Sequence, residues 1–470
     1  MKPMPIGLQG LGLIARKGLI ALSFLIVART SGPNIFGQYT YLYTWMYLFF
    51  VLSSLGLPPV STREIARFPL HASGILKTTF IARFGAALLA VVLLIAVAVV
   101  PNSLHRIGVA RAVLLFALLI PPYALLDQFG AYVMGFCQNG RFALINTIQW
   151  GSFVLATLAA AWRKADLEVL VAYQVVGMWF GFAMVCVLLK DNLKDAWRAH
   201  VNRREAWHLF KEAIPLAVTS VLGLLYFRIG TLYLFQYAGA YQTGLFTSAL
   251  QVLEALQLIP MAVVGALFPV MSRHTHDPQK LGVLFEKINS LLMFVGLFIA
   301  ATGSVVSMSI IRLIFGAHFS SSGVLLQLLI WAVVPNFLAF SLGYFLISLN
   351  RQILVTFISF IGVVVSVTLS VLLIPRYGVL GAVYGSVLTE SCICVLCLVF
   401  VLRHVRIAPP VRLASIAAAG AAVVWALGTI WNREINATLF HAAGFGALSL
   451  GLFASGFLLY RRLLARLELA

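Results

Sequence analysis

The sequence predicts an all-α polytopic membrane protein: about 14 transmembrane helices, arranged as two six-helix lobes and two further helices near the C-terminal end. Three observations lead there. The 470 residues are 61% hydrophobic and only 10% charged, with mean hydropathy +0.99, far from the balance of a water-soluble domain. Apolar runs of about 20 residues, the length that crosses a hydrocarbon core, recur along the whole chain. The second set of six runs also repeats landmarks of the first.

The first lobe, residues 1–190, contains runs near 7–28, 36–57, 74–100, 109–135, 142–162 and 167–190. After Lys2 the first run continues to Ala28 with no small-x-small cleavage site, so it reads as an uncleaved helix. A basic connection, 191–211, carries Lys194, Arg198, Arg203, Arg204 and Lys211, with Lys190 just before it. The second lobe, 212–404, has runs near 212–236, 243–271, 283–310, 323–349, 352–374 and 378–402. Two more, near 412–432 and 437–461, lie in 405–470.

Loop charge sets the orientation, because Lys and Arg accumulate on the cytoplasmic side. With the N-terminus inside, that side receives Lys2, the basic connection, Arg63, Arg67, Lys77, Arg141, Arg273, Lys280, Lys287, Arg351, Arg403, Arg406, Arg412 and the terminal arginines. The opposite side receives the smaller set of Arg29, Arg106, Arg111, Arg163, Lys164, Arg312, Arg376 and Arg433. Both termini are therefore expected in the cytoplasm. The formal net charge of +19 reads as topology, and no nucleic-acid partner is expected.

The repeat shows at three places. Gly32-x4-Gly37-x-Tyr39 leads into the second run and Gly239-x4-Gly244-x-Phe246 into the eighth. The two hairpins end at Arg63 and Arg273, and Asn139-Gly-Arg141 opens the fifth run as Asn350-Arg351 opens the eleventh. Copies of an even number of helices enter the membrane from the same side, which predicts parallel halves with a site between them.

Ionisable groups within the runs are the candidate functional residues, because charge at membrane depth is costly unless it meets a partner, a ligand or water. The cations are Arg16, Lys17, Arg83 and Arg228, and the acids are Asp127, Glu254 and Glu390. For Arg16, Lys17 and Arg83 two readings stand, a cavity wall or snorkelling to the surface. Arg228, well inside the seventh run, reads as a cavity residue. A guanidinium fork matches phosphate and carboxylate oxygens, so the four cations are candidate substrate-binding residues. The three acids read as ion-coupling sites or structural pairs, Glu390 lying beside Thr389 and Ser391.

Other signals read as packing or surface. Cys392, Cys394 and Cys397 lie inside an apolar run without His or carboxylate at ligand spacing, so no metal is expected there. Pro121, Pro122, Pro215, Pro260, Pro269 and Pro335 predict bent helices. No phosphate loop, nucleophile elbow or catalytic carboxylate pair is present in the sequence, and no enzyme activity is expected.

Several motifs carry a family resemblance: Ala28–Tyr39 (ARTSGPNIFGQY), Leu55–Leu57, Arg63–Arg67, Phe227–Gly230, Gly244, Glu254, Ile259–Pro260, Pro269–Arg273, Ile314–Gly316 and Arg376–Gly385. Together they resemble O-antigen and polysaccharide flippases of the multidrug/oligosaccharidyl-lipid/polysaccharide exporter superfamily. The resemblance implies a bacterial inner-membrane flippase that moves undecaprenyl-pyrophosphate-linked oligosaccharide by alternating access through a cationic cavity between the lobes. It implies membrane lipids as surroundings, a polysaccharide polymerase and chain-length regulator as partners, and no cofactor beyond coupling to H+ or Na+. Many relatives carry an acid after the Phe-Arg-Ile run, where this chain has Gly230, so a local carboxylate partner for Arg228 is missing.

Two rivals keep the fold and change the cargo, a cation-coupled drug exporter and a peptidoglycan-precursor flippase. A third, of another class, is a membrane-embedded polymerase, glycosyltransferase or assembly scaffold.

Overall fold

The computed structural model describes residues 6–99, 110–201, 203–274 and 278–404. Throughout them the chain is helical: α1 (Ile6–Ser54), α2 (Leu57–Arg67), α3 (Ala72–Val99), α4 (Ala110–Ala117), α5 (Ile120–Gly135), α6 (Asn139–Trp162), α7 (Leu167–Leu188), α8 (Lys190–Arg198), α9 (Arg203–Leu256), α10 (Leu258–Arg273), α11 (Pro278–Phe315), α12 (Ser322–Leu329), α13 (Val333–Ser348), α14 (Gln352–Tyr377) and α15 (Val379–His404). Ten stretches are long and apolar enough to cross a bilayer. Two of these, Ala15–Arg67 and Ala206–Arg273, are 53 and 68 residues long and broken at a glycine, each long enough for two crossings. The two runs expected near 412–432 and 437–461 lie outside the described residues.

Why the long helices break is legible in their residues. Within α1 the backbone turns at Gly32 (φ 72°, ψ 177°), and within α9 at Gly239 (φ 80°, ψ −178°), a conformation open to glycine and closed to residues with a Cβ. These are the two glycines that head the sequence repeat. Shorter interruptions follow the same parallel. The described part of α4, Ala110–Ala117, precedes the sixteen residues of α5, whose first turn carries Pro121 and Pro122. The eight of α12 precede a 3-10 turn at Ile330–Ala332 and the sixteen of α13, with Pro335 near its start. Proline is tolerated in a first helical turn because its missing N–H has no partner there to lose.

The fold divides into two compact units, Met1–Arg228 and Ile229–Ala470. In the first, α1 packs along α6, α6 along α7, and α5 against α2 and α3. Small residues allow the close approach of α6 and α7: a Cβ on Gly177 would lie 2.6 Å from Ala156 Cβ, and one on Gly181 would lie 2.5 Å from Ser152 Oγ. Two fully buried glutamines tie the packed helices together. Gln128 donates to Ser61 Oγ at 3.0 Å and Thr79 Oγ1 at 2.9 Å; Gln174 donates to Tyr39 Oη at 3.2 Å and Thr157 Oγ1 at 3.0 Å. In hydrocarbon such bonds replace the water that a soluble protein could offer a buried amide.

In the second unit α15 packs against α12, α13 and α14, and α11 against α12 and α13. Its buried polar groups are mostly small hydroxyls, as where Ser248 donates to Ser322 at 2.9 Å. Large apolar side chains such as Leu155, Val176 and Val187 in the first unit and Phe357, Phe360 and Val395 in the second point outward, as expected of a surface solvated by lipid. The protein is a multi-pass membrane protein.

Candidate functional site

The first unit gathers three of the seven embedded charges at one place. Asp127, on α5, receives Arg83 from α3 and Arg16 from α1: Arg83 Nη1 donates to Oδ2 at 3.1 Å, and Arg16 Nη1 lies 3.6 Å from Oδ1. Arg16 also reaches Tyr123, one helical turn before Asp127, with Nη2 3.5 Å from the phenolic oxygen.

The two arginines differ in exposure. Arg83 is fully buried, whereas a quarter of the Arg16 side chain is open. Along α3, Arg83 lies eleven residues past Ala72, roughly 16 Å in from that end. It turns inward to Asp127 instead of snorkelling. Its Nη1 alone has a protein acceptor; Nε and Nη2 are buried without one among the described residues. The Phe50 ring centroid sits 6.0 Å from the Arg83 guanidinium carbon, and that ring meets Tyr123 edge-on at 4.0 Å. Two guanidiniums facing one carboxylate leave a surplus positive charge at depth, a state that favours an anionic visitor.

An aromatic row runs along α1 to this cluster. Tyr39, Tyr43 and Tyr47 are spaced one turn apart and their rings are stacked, Tyr39 with Tyr43 at 6.2 Å and Tyr43 with Tyr47 at 6.0 Å. Tyr47 then meets Tyr123 edge-on at 6.4 Å, and Tyr123 meets the buried Trp150 at 5.4 Å. Sequence reasoning used Tyr39 only as a landmark of the repeat and passed over Tyr43, Tyr47, Tyr123, Trp150 and Gln128. The available signal was the four-residue spacing of Tyr123 to Asp127 and of the three α1 tyrosines.

The other expected site residues lie elsewhere. Lys17 follows Arg16 on α1 and is half-buried. Arg228 is half-buried on α9, its guanidinium carbon 5.8 Å from the Phe227 ring centroid. Glu254 lies on α9 beyond the Gly239 break, half-buried. Glu390, on α15, is buried and accepts a hydrogen bond from Asn336 Nδ2 on α13 at 3.1 Å.

A family model described as polysaccharide biosynthesis protein matches residues 6–275, more than half of the chain. The chain belongs to the polysaccharide biosynthesis protein family. The match covers α1 to α10 and so includes the whole Arg16–Arg83–Asp127 cluster and Arg228. A curated relative, the capsular polysaccharide biosynthesis protein CapF of Staphylococcus aureus, is 26% identical over 233 residues, 46% of this chain and 56% of that protein. The matched part thus spans little more than half the length of that relative.

In fold the family member resembles the inward-closed structure of the lipid II flippase MurJ (TM-score 0.71, 13% identity, covering 97% of this chain and 99% of that one). It also resembles an inward-facing multidrug resistance MATE family transporter of the MOP superfamily (TM-score 0.68, 14% identity, 84% and 98% covered). A third match is a MOP superfamily transporter from Pyrococcus furiosus described as having a binding pocket of reverse polarity (TM-score 0.61, 11% identity, 85% and 94% covered). The solved structures that share this fold are those of transporters and of a lipid flippase.

Proposed function

We propose that the protein flips an undecaprenyl-pyrophosphate-linked oligosaccharide, the repeat unit of an O-antigen or exopolysaccharide, from the cytoplasmic to the periplasmic leaflet of a bacterial inner membrane. The observation that carries this reading is the pairing of Arg16 and Arg83 on a single aspartate, which leaves excess cationic charge within a membrane-spanning bundle. A diphosphate carries the complementary charge and enough acceptor oxygens to engage the open Arg16 fork. Tyr47 and Tyr123 beside it supply aromatic faces and hydroxyls suited to a sugar. The polyprenyl tail stays in lipid, and both termini face the cytoplasm. Alternating access moves the head group, driven by different affinities for it in the two states.

Removing Arg16 is the cleanest test, because Asp127 keeps Arg83 as its partner. In a strain lacking the gene, lipid-linked repeat units accumulate; the wild-type gene clears them, and Arg16→Ala at equal membrane abundance does not. Full clearance by Arg16→Ala sinks the reading. The MurJ-like fold supports a second cargo, the peptidoglycan precursor, which has the same lipid diphosphate and a different sugar. Accumulation of that precursor instead of a polysaccharide repeat unit would select it.

A further inference from the structure

Glu390 differs from Asp127 in having no cation paired with it among the described residues. It lies eleven residues past the start of α15 and thirteen before Arg403, near the middle of a helix about 39 Å long, so charges at the helix ends are too far away to reach it. The residue is 4% exposed, and among the described residues it accepts a hydrogen bond from Asn336 Nδ2, which donates to Oε2 at 3.1 Å. Among the described residues no Lys, Arg or His makes an ion pair with it. The elements packed against α15 add little charge: α12 and the 330–332 turn carry no titratable group, α13 carries Tyr344, and α14 carries Arg376 and Tyr377 at its exposed end. On α15 itself the titratable neighbours are Tyr384, Cys392, Cys394, Cys397, Arg403 and His404.

A carboxylate removed from water and offered one amide N–H is poorly compensated, so a positive ligand must neutralise it. We infer that Glu390 and Asn336 form a proton-binding site in the second unit, separate from the arginine cluster of the first. A proton fits better than a metal cation. Hard cations gather several oxygen ligands, whereas Asn336 turns its amide nitrogen, a donor, toward the carboxyl group. The proton on Oε1 or Oε2 needs no further ligand. If transport proceeds as proposed above, a difference in proton affinity between the two access states couples the proton gradient to the cycle. That use rests on the transport reading; occupancy of the site does not.

Infrared difference spectroscopy on the full-length protein in lipid bilayers tests occupancy directly. Between acid and alkaline buffers the wild-type protein is expected to lose the C=O stretch of a buried protonated carboxyl. Glu390→Gln should lack that band, and Asn336→Ala should shift its frequency by removing the hydrogen bond. Persistence of the band in Glu390→Gln, its absence from wild type, or its collapse when sodium replaces potassium at fixed pH overturns the assignment. Should Glu390→Gln fail to fold, an unshifted band in Asn336→Ala overturns it equally. Because no lipid-linked sugar is present, this outcome is independent of whether the cargo is correctly named.

Discussion

The two units share backbone devices and differ in chemistry. Gly32 and Gly239 break their long helices with nearly the same φ and ψ. Each unit contains a sixteen-residue helix that follows a break in the chain, and left-handed backbone at Cys137 and Asn350 turns the chain into α6 and α14. What sits on these frames is not alike. The first unit holds two arginines, one of them fully buried, with an aspartate and a tyrosine row, while the second buries a carboxyl held by an amide. A break set by glycine is an all-or-none requirement of the backbone and persists in both copies, whereas side chains facing the interior are free to diverge once each copy has its own task. On the two readings proposed above, the first unit receives an anion and the second a neutralising proton.

Five substitutions probe this contrast, in order of expected effect. Asp127→Ala strands two cations, one fully buried, and breaking such a pair costs about 3–5 kcal/mol; thermal unfolding in detergent should show a large drop that further removal of Arg83 partly restores. Equal melting of Asp127→Ala and wild type would mean the cluster is hydrated and inessential. Gly32→Ala and Gly239→Ala each place a Cβ in a glycine-only conformation, at about 1–3 kcal/mol. The two losses should match, and a large inequality would break the structural equivalence of the units. Arg228→Ala, at unchanged membrane abundance, should slow clearance of lipid-linked repeat units roughly tenfold or more, the scale of one charge-assisted hydrogen bond. Undiminished clearance would contradict the sequence reading of Arg228 as a substrate-binding residue. Least of all, Arg63→Ala breaks a half-exposed ion pair with Glu212 that joins α2 to α9, where about 0–1 kcal/mol is at stake. That small difference should vanish in high salt.

Much of the fold was legible in the sequence because lipid imposes a simple rule: apolar runs of the right length must be helices. All twelve runs expected before residue 404 coincide with described helices, and the glycines that marked the repeat are the residues at which α1 and α9 bend. The site was readable only in part. Composition could name Arg16, Arg83 and Asp127 as costly residues, but their meeting joins three helices 44 to 111 positions apart in the chain, and apolar periodicity carries no information about that pairing. Arg83 in particular lies close enough to Lys77 to suggest a side chain reaching for the surface; tertiary packing turns it inward. Tyr39 and Tyr43, by contrast, look like ordinary apolar filling until their rings are seen stacked toward Tyr123.

The central claim, that the arginine cluster receives a lipid diphosphate, is tested most directly by equilibrium binding of undecaprenyl pyrophosphate to the purified full-length protein and to Arg16→Gln, which leaves the Arg83–Asp127 contact in place. Loss of one charge-assisted contact predicts affinity weakened about tenfold or more, with a shallower dependence on salt. Identical binding curves for the two proteins would contradict it.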